Sequence, residues 1–547
     1  MAESRSKPRK QVFQDYYTEE DYKDITKNLP EIVKAAEKRK SETLEPTIYE
    51  KRDVMKHIRN FIRKKGRKVY GGTAINELIL AVNKNDGIYD KDCFADIEFY
   101  SSTPIEDLIE LTTELFKAGF KHVEAAEAQH IGTYKIFVNF APEYCDITQV
   151  SGNVERAIKT IEIDGIQYVH PHFIHIDQLR IFNDPMTSAY IWEKTFGRAY
   201  KLLKYYPFEL FNGDFKMPKI PIDIKEYQNK IQSDFLSLNI HQTNNIVCGF
   251  SAYNYFIKTA AKDPNVDKMA RIVRNKTNLT KLEVEIPFID IVSIDYKQTI
   301  ISLYEYLMNN VADVEKLSKK EYYPLFQFTG NSVVFLYDNI PLIRIYEYND
   351  MCIPYIKMTS GRKIGTFQYI LMWMLINKFH SFILRDEHMY KNYGSAISNL
   401  IQARNQYLDS NNFSVLDKTP FGEFRLGCIG TTMSFERRGR LRKQKRIEQG
   451  KPVIYRYKPE DHVNKETNKP EKKFTFPIAS GREIPIKYIK FRLFPNEKQD
   501  ETSGTESESD EENEEETENK ESTEEIPNFD DTNSNTEDVQ ETTTENV

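Results

Sequence analysis

The chain has 547 residues, too many for a single hydrophobic core, and its length predicts about three domains. The net charge is −7, but residues 499–547 hold 20 acidic side chains and one lysine. The remainder carries 75 cationic and 63 acidic side chains, a balance of +12, which excludes a uniformly acidic protein and favours a polyanionic partner such as nucleic acid.

The cysteines and the apolar stretches indicate in which cellular compartment the protein works. Five scattered cysteines form no zinc-binding or disulfide-rich pattern and predict reduced thiols in a cytosolic compartment. The N-terminus has no apolar run typical of a signal peptide. The most apolar stretch, 367–384, is interrupted by polar side chains and predicts a buried core helix rather than a membrane span. We therefore expect no membrane partner.

Composition divides the chain into five segments. We predict an N-terminal extension packed on a later domain (1–45), a first α/β unit (46–205), a second unit (206–400), a basic segment packed on the second unit (401–497) and an acidic tail (498–547). The tail has too little apolar surface to fold alone and is predicted to be disordered.

The stretch "VYGGTAINELIL" predicts a strand, a tight turn and a helix. Gly71 and Gly72 let the backbone approach a ligand closely, and Thr73 opens a helix with apolar residues at helical spacing. The free N–H groups at a helix start favour phosphate. A plain tight turn is the alternative reading of a glycine pair.

The next strand, "FADIEFYS", places Asp96 and Glu98 on one face, since residues two apart in a strand point the same way. Asp146 in "EYCDIT" lies in a later strand. Three carboxylates on adjacent strands predict a cage for Mg²⁺ or Mn²⁺, with solvated carboxylates as the alternative. A rival pair, Asp90 and Asp92, is disfavoured because its flanks lack the alternation of a strand.

Between these strands, local signals predict further elements. Thr103, Pro104 and Glu106 predict a capping box at a helix start, and Gly119 predicts the helix end. "TYKIFVNF" predicts a strand with its aromatic and aliphatic side chains on one face.

A helix predicted to open at Asp184-Pro185 carries Lys194, Arg198 and Lys201 along one stripe. This stripe predicts binding of a triphosphate, with a solvated basic face as the alternative.

The stretch "HPHFIH" contains His170, His172 and His175. No fourth ligand stands at a recognised spacing, so structural histidines are favoured over a transition-metal site.

The second unit repeats the first glycine turn as "VCGFSAYNYFIK". The repeat pairs Gly71 with Gly249, Thr73 with Ser251, Ala74 with Ala252, Asn76 with Asn254 and Ile79 with Ile257. Further on, "FIDIVS" predicts that Asp290 matches Asp96 and Val292 matches Glu98, while Arg344 lies near the position of Asp146. We interpret this as a duplicated fold whose second copy lost its carboxylates; chance similarity over a short span is the alternative.

These motifs resemble the nucleotidyltransferase superfamily of DNA polymerase β, whose pattern is a glycine turn, a helix, a D-x-[DE] strand and a third aspartate. The 23 residues between Gly72 and Asp96 exceed the usual spacing and imply an inserted loop. An active copy followed by a degenerate copy resembles the poly(A) polymerase catalytic subunits of large nucleocytoplasmic DNA viruses, of the poxvirus, asfarvirus and mimivirus type. That family often has Asp at the position of Glu98.

The resemblance implies an α/β (α+β) fold of two tandem nucleotidyltransferase-like domains and template-independent addition of AMP from ATP to RNA 3′ ends. Asp96, Glu98 and Asp146 would hold two Mg²⁺ or Mn²⁺ ions, and Gly71, Gly72, Thr73, Lys194, Arg198 and Lys201 would bind the nucleotide. Expected partners are the RNA 3′ end, ATP, and either a second copy or a viral processivity subunit. The expected location is the host cytoplasm, at the viral factory, and the virion.

Two alternative functions stay open. One is a transferase of the uridylyl, CCA-adding or oligoadenylate type, and the other is a non-catalytic RNA-binding scaffold.

A basic run near the C-terminus predicts RNA contacts. Its cations are Arg437, Arg438, Arg440, Arg442, Lys443, Lys445 and Arg446, and the aromatic residues Tyr455, Tyr457, Phe474 and Phe476 downstream are candidate base-stacking groups. A nuclear-import signal or a solvated loop is the alternative.

Overall fold

The computed structural model describes residues 16–44, 46–89, 95–128, 130–139, 144–208, 211, 215, 217–266, 279–348, 351–431 and 433–462. The rival pair Asp90 and Asp92, the aromatic residues Phe474 and Phe476, and the acidic tail lie outside these residues.

The first unit alternates helices and strands. Its elements are α1 (Glu19–Thr43), α2 (Ile48–Lys65), β1 (Lys68–Tyr70), α3 (Gly71–Val82), β2 (Ile97–Ser101), α4 (Pro104–Lys117), β3 (Glu124–Glu127), β4 (Thr133–Phe137), β5 (Cys145–Gln149), α5 (Gly152–Ala157), β6 (Thr160–Ile163), β7 (Ile166–Val169), α6 (Pro171–Phe182) and α7 (Trp192–Tyr205).

The second unit and the segment after it continue in the same manner. Their elements are α8 (Ile222–Lys230), α9 (Asn239–Asn244), β8 (Asn245–Cys248), α10 (Gly249–Ala261), β9 (Ile289–Ser293), α11 (Tyr296–Asn310), β10 (Leu317–Tyr322), β11 (Ser332–Tyr337), β12 (Ile340–Glu347), β13 (Cys352–Lys357), β14 (Lys363–Gly365), α12 (Phe367–Ile383), α13 (Glu387–Asn411), β15 (Cys428–Gly430), α14 (Phe435–Glu448) and β16 (Arg456–Tyr457).

The two sheets repeat each other strand for strand. The first runs β3-β4-β5-β2-β1-β7-β6 and the second runs β10-β11-β12-β9-β8-β14-β13, with β16 and β15 added at one edge of each. Parallel pairs fall at matching places, β2 with β5 and β1 with β7 in the first sheet, and β9 with β12 and β8 with β14 in the second. A chance similarity of two turns would not reproduce a whole strand order, so the predicted duplication is confirmed.

The register of the strands corrects the residue pairing between the copies. Tyr70 lies opposite Glu98, and Cys248, which also precedes a glycine turn, lies opposite Asp290. Asp290 is therefore the counterpart of Glu98, and its predicted match with Asp96 is wrong by two residues. Shifting the alignment of the two copies by two residues leaves every side chain on the same face of the sheet. The alternation of apolar and polar residues therefore does not reveal the error.

The third carboxylate position follows from the same register. Asp146 lies opposite Glu98 across β2 and β5, and Arg344 lies opposite Asp290 across β9 and β12. The second copy thus carries an arginine where the first carries Asp146, as the sequence predicted.

The start of α4 shows how tertiary contacts override a local signal. Thr103 stands at the N-cap, Pro104 follows, and Gly119 lies just past the helix end with a φ of +97°. The predicted capping box is wrong, because the Thr103 hydroxyl bonds no helix N–H. It instead accepts a hydrogen bond from Arg67 at 2.9 Å, and Arg67 also pairs with Asp107 at 2.7 Å.

The most apolar helix, α12, lies in the core, as predicted from its sequence. Thr366 caps it by accepting a hydrogen bond from the N–H of Tyr369, and most of its residues are buried. Within the part of the chain that the structure describes, no helix combines the length and apolarity needed to cross a bilayer.

The N-terminal helix α1 behaves differently from its prediction. Thr18 and Asp21 form a capping box at its start, but none of its residues is buried. Packing on a later domain is therefore not seen among the described residues.

One cysteine pair corrects the expectation of reduced thiols. Cys352 and Cys428 form a disulfide that joins β13 to β15. The two cysteines are 76 residues apart along the chain. They come together because β13 pairs with β15, where Pro354, two residues after Cys352, lies opposite Cys428. Spacing along the chain does not reveal such a contact. Cys145 and Cys248 are buried free thiols.

The segment after residue 400 contacts both sheets. β15 pairs with β13 in the second sheet, and β16 pairs with β3 in the first, where Tyr457 lies opposite Ala125. The segment that we expected to pack on the second unit therefore contributes a strand to each sheet.

Candidate active site

The first glycine turn is shaped by a carboxylate that approaches it closely. Gly71 has a φ of +69°, and a Cβ added there would lie 1.5 Å from Glu98 Oε2. The N–H of Gly72 donates to the same oxygen at 3.0 Å. The second copy keeps this arrangement, since a Cβ at Gly249 would lie 2.2 Å from Asp290 Oδ2. Only glycine provides the space and the left-handed conformation that both turns require.

The three predicted carboxylates lie in the region of this turn, although among the described residues they do not form a compact group. Glu98 and Asp146 lie directly opposite each other on the parallel strands β2 and β5. Asp96 directly precedes β2, and its carbonyl accepts a hydrogen bond from the Thr73 hydroxyl at 2.9 Å. Burial, followed by the negative charge of Asp96, raises the pKa of Glu98 to about 8, and Asp146 adds to the effect. The site therefore concentrates negative charge that a cation would relieve.

A lysine that the sequence reasoning missed belongs to this cluster. Lys135 lies opposite Asp146 across β4 and β5, and its Nζ is 3.2 Å from Asp146 Oδ2. The stretch "TYKIFVNF" contains a hint of this role. Lys135 is the charged residue of that strand, and its side chain points to the face opposite that of Tyr134 and Ile136. The register between two strands cannot be read from their sequences, so the sequence does not predict this ion pair.

The site partly meets the requirements of a divalent ion. Among the residues described, no three histidine, cysteine or carboxylate side chains are grouped as a ready metal site. Glu98 bonds the N–H of Gly72 and Asp146 pairs with Lys135 in this conformation. The donor set nevertheless fits a hard cation, because three carboxylates supply oxygen ligands and because burial, together with the neighbouring charges of Asp96 and Asp146, raises the pKa of Glu98.

The predicted cationic stripe on α7 faces the loop that follows α3. Arg198 donates from Nη2 to the hydroxyl of Tyr89 at 2.9 Å. Lys201 lies 3.2 Å from the Asp86 carboxylate, whereas Lys194 is exposed. The helix begins at Trp192 rather than at Asp184. Two of the three predicted phosphate ligands therefore hold the loop in this conformation.

Arg198 also reaches the glycine turn. A Cβ at Gly72 would lie 3.1 Å from Arg198 Nη1 and 2.0 Å from the hydroxyl of Tyr89. The guanidinium thus stands beside the N-terminus of α3, where an anion would bind.

The histidines of "HPHFIH" have structural contacts. His170 accepts a hydrogen bond from the N–H of His172 at the start of α6. His175 contacts Gln178 Oε1 at 2.9 Å and the carbonyl of Tyr206 at 3.4 Å. Burial lowers the pKa of His175 to about 4.

The basic run forms the helix α14, and one of its cations holds it in place. Arg446 donates two hydrogen bonds to Glu127 on β3, at 2.6 and 2.8 Å, and its guanidinium lies 4.8 Å from the ring centre of Tyr455. Arg437, Arg440, Lys443 and Lys445 are exposed, and Arg438 and Arg442 are half-buried.

Tyr457 does not suit the base-stacking role considered for it. Its side chain is 5% exposed, its hydroxyl lies 3.1 Å from that of Thr113, and its ring stacks on His462. Its position in β16 explains this burial, which the composition of the segment did not reveal.

Comparison with protein families gives two matches that together span most of the chain. Residues 56–188 match the family "Poly(A) polymerase catalytic subunit", and residues 222–493 match "APMV, Putative poly(A) polymerase, catalytic subunit, C-terminal".

Individual relatives agree with these matches. The chain is 45% identical over 510 residues to the "Putative poly(A) polymerase catalytic subunit" of Acanthamoeba polyphaga mimivirus, which covers 90% of this chain and 87% of the relative. It also resembles the crystal structure of the Megavirus polyadenylate synthase, with a TM-score of 0.76 and 47% identity, over 83% of this chain and 89% of that one.

Proposed function

We propose a mechanism for this chain on the premise that it belongs to the poly(A) polymerase catalytic subunit family. Its function is polyadenylation, and it is a polynucleotide adenylyltransferase. The reaction joins AMP from ATP to the 3′-hydroxyl of RNA and releases pyrophosphate.

One difference between the two copies supports chemistry in the first. Glu98 and Asp146 face each other there, whereas Asp290 faces Arg344 in the second copy. In the first copy one lysine, Lys135, pairs with Asp146, so the three carboxylates exceed the cations beside them, whereas the single carboxylate opposed to an arginine in the second copy is already neutralised. The first copy is therefore the one built to take up metal and nucleotide.

In the proposed mechanism, Asp96, Glu98 and Asp146 would hold two divalent ions, Mg²⁺ or Mn²⁺. The chemistry that such ions supply is a lower pKa of the primer 3′-hydroxyl and neutralisation of charge on the phosphates.

The rest of the site binds and orients ATP. The N–H groups of Gly71, Gly72 and Thr73, at the start of α3, would bind the triphosphate, and Arg198 beside them would offset its charge. Lys194 and Lys201 would join after the loop contacts of Lys201 to Asp86 have opened. Holding the α-phosphate in line with the 3′-hydroxyl is the main contribution of these residues.

RNA would be held in part by α14, which carries four exposed cations, Arg437, Arg440, Lys443 and Lys445, that would contact phosphates. The name "catalytic subunit" in the relatives supports a partner subunit, and a second copy of this chain is the other candidate. Light scattering of the purified protein distinguishes the two. We also propose that the protein works in the host cytoplasm and is carried in the virion, which immunogold labelling of infected cells would test.

The test replaces carboxylates by their amides. Glu98→Gln and Asp146→Asn each keep the side-chain shape and remove one carboxylate ligand from the site. We expect both to lower AMP addition to a 5′-labelled RNA by at least about 1000-fold, because phosphate charge would be left without its counter-charge. RNA binding should stay within about twofold.

The control is Glu305→Gln, an exposed carboxylate on α11 of the second unit, which should keep full activity. Each of the four ribonucleotides is supplied in turn. Near-normal activity of either site variant would reject the proposed site, and extension with UTP or CTP instead of ATP would favour another transferase type.

A further inference from the structure

A groove of about 1010 Å³ opens beside the active site, between α2, α3 and the loop after α3. One end reaches Thr73 at the start of α3 and Ala95, the residue before Asp96. The groove therefore adjoins the glycine turn and the residue before Asp96, although the three carboxylates are not among its lining residues.

The wall formed by α2 carries a regular stripe of cations. Arg52, Lys56, Arg59 and Arg63 all line the groove, and their spacing of four, three and four residues puts them on one helical face. The opposite face is buried through Val54, Ile58 and Phe61. The helix is thus amphipathic, with its cationic face turned to the cavity.

The charge of the groove is strongly unbalanced. Lys84 adds a fifth cation, and the acidic residues among the lining are Asp53 and Glu77. Glu77 lies 3.4 Å from Arg59 and offsets that one charge. A solvated basic helix face would also have this spacing, but here the cations line a concave surface, where their fields add.

We infer that this groove binds single-stranded RNA near its 3′ end. From Arg52 to Arg63 the stripe extends about 16 Å along α2, which suits several phosphates of a strand better than the phosphates of one nucleotide. Tyr49, 66% exposed at the same wall, offers a ring for base stacking. A cationic groove with an accessible aromatic ring is the usual surface for a single strand.

The inference rests on the proposed function in taking RNA as the polyanion, and its test does not depend on catalysis. Binding of a fluorescein-labelled oligoadenylate is measured by anisotropy without ATP or metal, over a range of salt concentrations. The test variant is Arg52→Gln, Lys56→Gln and Arg63→Gln together, which leaves the Arg59 pair intact. We expect RNA affinity to fall at least about tenfold, and the slope of log affinity against log salt to become shallower by about 2.

A matched control removes three exposed lysines of the second unit, as Lys262→Gln, Lys297→Gln and Lys316→Gln. It should keep the wild-type affinity within about twofold, and its thermal midpoint is compared with that of the test variant. An equal loss in both variants would show a general charge effect and overturn the inference. Unchanged RNA affinity with a raised KM for ATP would identify the groove as a polyphosphate site instead.

A second variant, Tyr49→Ala, separates the contribution of base stacking to RNA affinity from the contribution of the cations. We expect about tenfold weaker binding with an unchanged salt slope, because the tyrosine carries no charge. Unchanged binding by both Tyr49→Ala and the triple variant would place RNA elsewhere. Failure of the proposed active site would appear separately, as activity in Glu98→Gln with RNA binding intact.

Discussion

Arg344 donates a hydrogen bond from Nε to Asp290 Oδ1 at 2.8 Å, with both side chains at most 3% exposed. The pair stands where the first copy places Asp146 and Glu98. The second copy thus neutralises its buried carboxylate with an arginine at the position of Asp146, whereas in the first copy Lys135 pairs with Asp146 and leaves Glu98 and Asp96 without a described cation partner. This explains how a duplicated fold survives the loss of its ligand without leaving a charge unpaired in the core.

Removing Arg344 should therefore unfold the second unit more easily. Arg344→Leu leaves the buried Asp290 carboxylate without its cation, and we expect a loss of about 3–5 kcal/mol in unfolding free energy. Urea denaturation followed by tryptophan fluorescence measures it. The double variant Arg344→Leu, Asp290→Asn should recover most of the loss, since no charge then stays buried; a double variant as unstable as the single one would contradict this explanation.

Gly71→Ala should lower kcat strongly, whereas the protein should still fold. The added Cβ meets the Glu98 carboxylate, so either the turn or the carboxylate must move. We expect kcat to fall by at least about 100-fold. Gly119→Ala is the matched control, because that glycine also has a positive φ but has nothing within 4 Å of the added carbon. It should cost roughly 1–2 kcal/mol of stability and leave kcat unchanged.

Lys135→Met should reduce the metal concentration that the enzyme requires. The ammonium group competes with a cation for Asp146, and its removal frees that carboxylate. We expect the Mn²⁺ concentration for half-maximal activity to fall by about threefold to tenfold, a modest change because the pair is partly solvated. Lys121→Met, at an exposed position, is the control. A higher metal requirement would mean that Lys135 orients Asp146 for the ion rather than competing with it.

Acid should destabilise the first unit through His175. The pKa of His175 is about 4 in the folded protein, compared with the ordinary value of 6.5 that applies in the unfolded chain. Between these two pH values the unfolded chain therefore binds a proton that the folded protein does not bind. Stability is therefore lost as the pH falls from about 6.5 to about 4, by about 3 kcal/mol.

The measurement compares unfolding free energies at neutral pH and at about pH 4. His175→Asn should flatten this dependence, whereas the same substitution at the exposed His388 should leave it as in the wild type. An equally steep dependence in His175→Asn would assign the acid sensitivity to other groups.

The parts of the site that depend on local signals were predictable from the sequence. A glycine pair between a strand and a helix, and the alternation around Asp96 and Glu98, are properties of a few adjacent residues. The turn survives in the structure, and so does the alternation of Ile97, Glu98 and Phe99, because turn chemistry and the two-residue period of a strand need no distant partner; Asp96 itself stands just before the strand. The likeness of the two glycine turns predicted the duplication for the same reason.

Features that depend on strand pairing were not predictable. The register that matches Asp290 with Glu98, the ion pair of Lys135 with Asp146 and the disulfide of Cys352 all join residues that are distant along the chain or on separate strands. The cationic stripe of α2 was visible as a spacing, but only the cavity beside it distinguishes it from an ordinary solvated face.

The contact of β16 with β3 has a consequence for how the protein is made. The first sheet holds the carboxylates, yet its edge is closed by Arg456 and Tyr457, and Arg446 ties the preceding helix to the same strand. A nascent chain that has left the ribosome only as far as the second unit still has β3 as an open edge, able to pair with another chain. The first sheet therefore cannot pair its β3 edge until β16, the last described strand, has been synthesised. Truncation before residue 456 should yield an aggregation-prone chain even though every proposed catalytic residue is present.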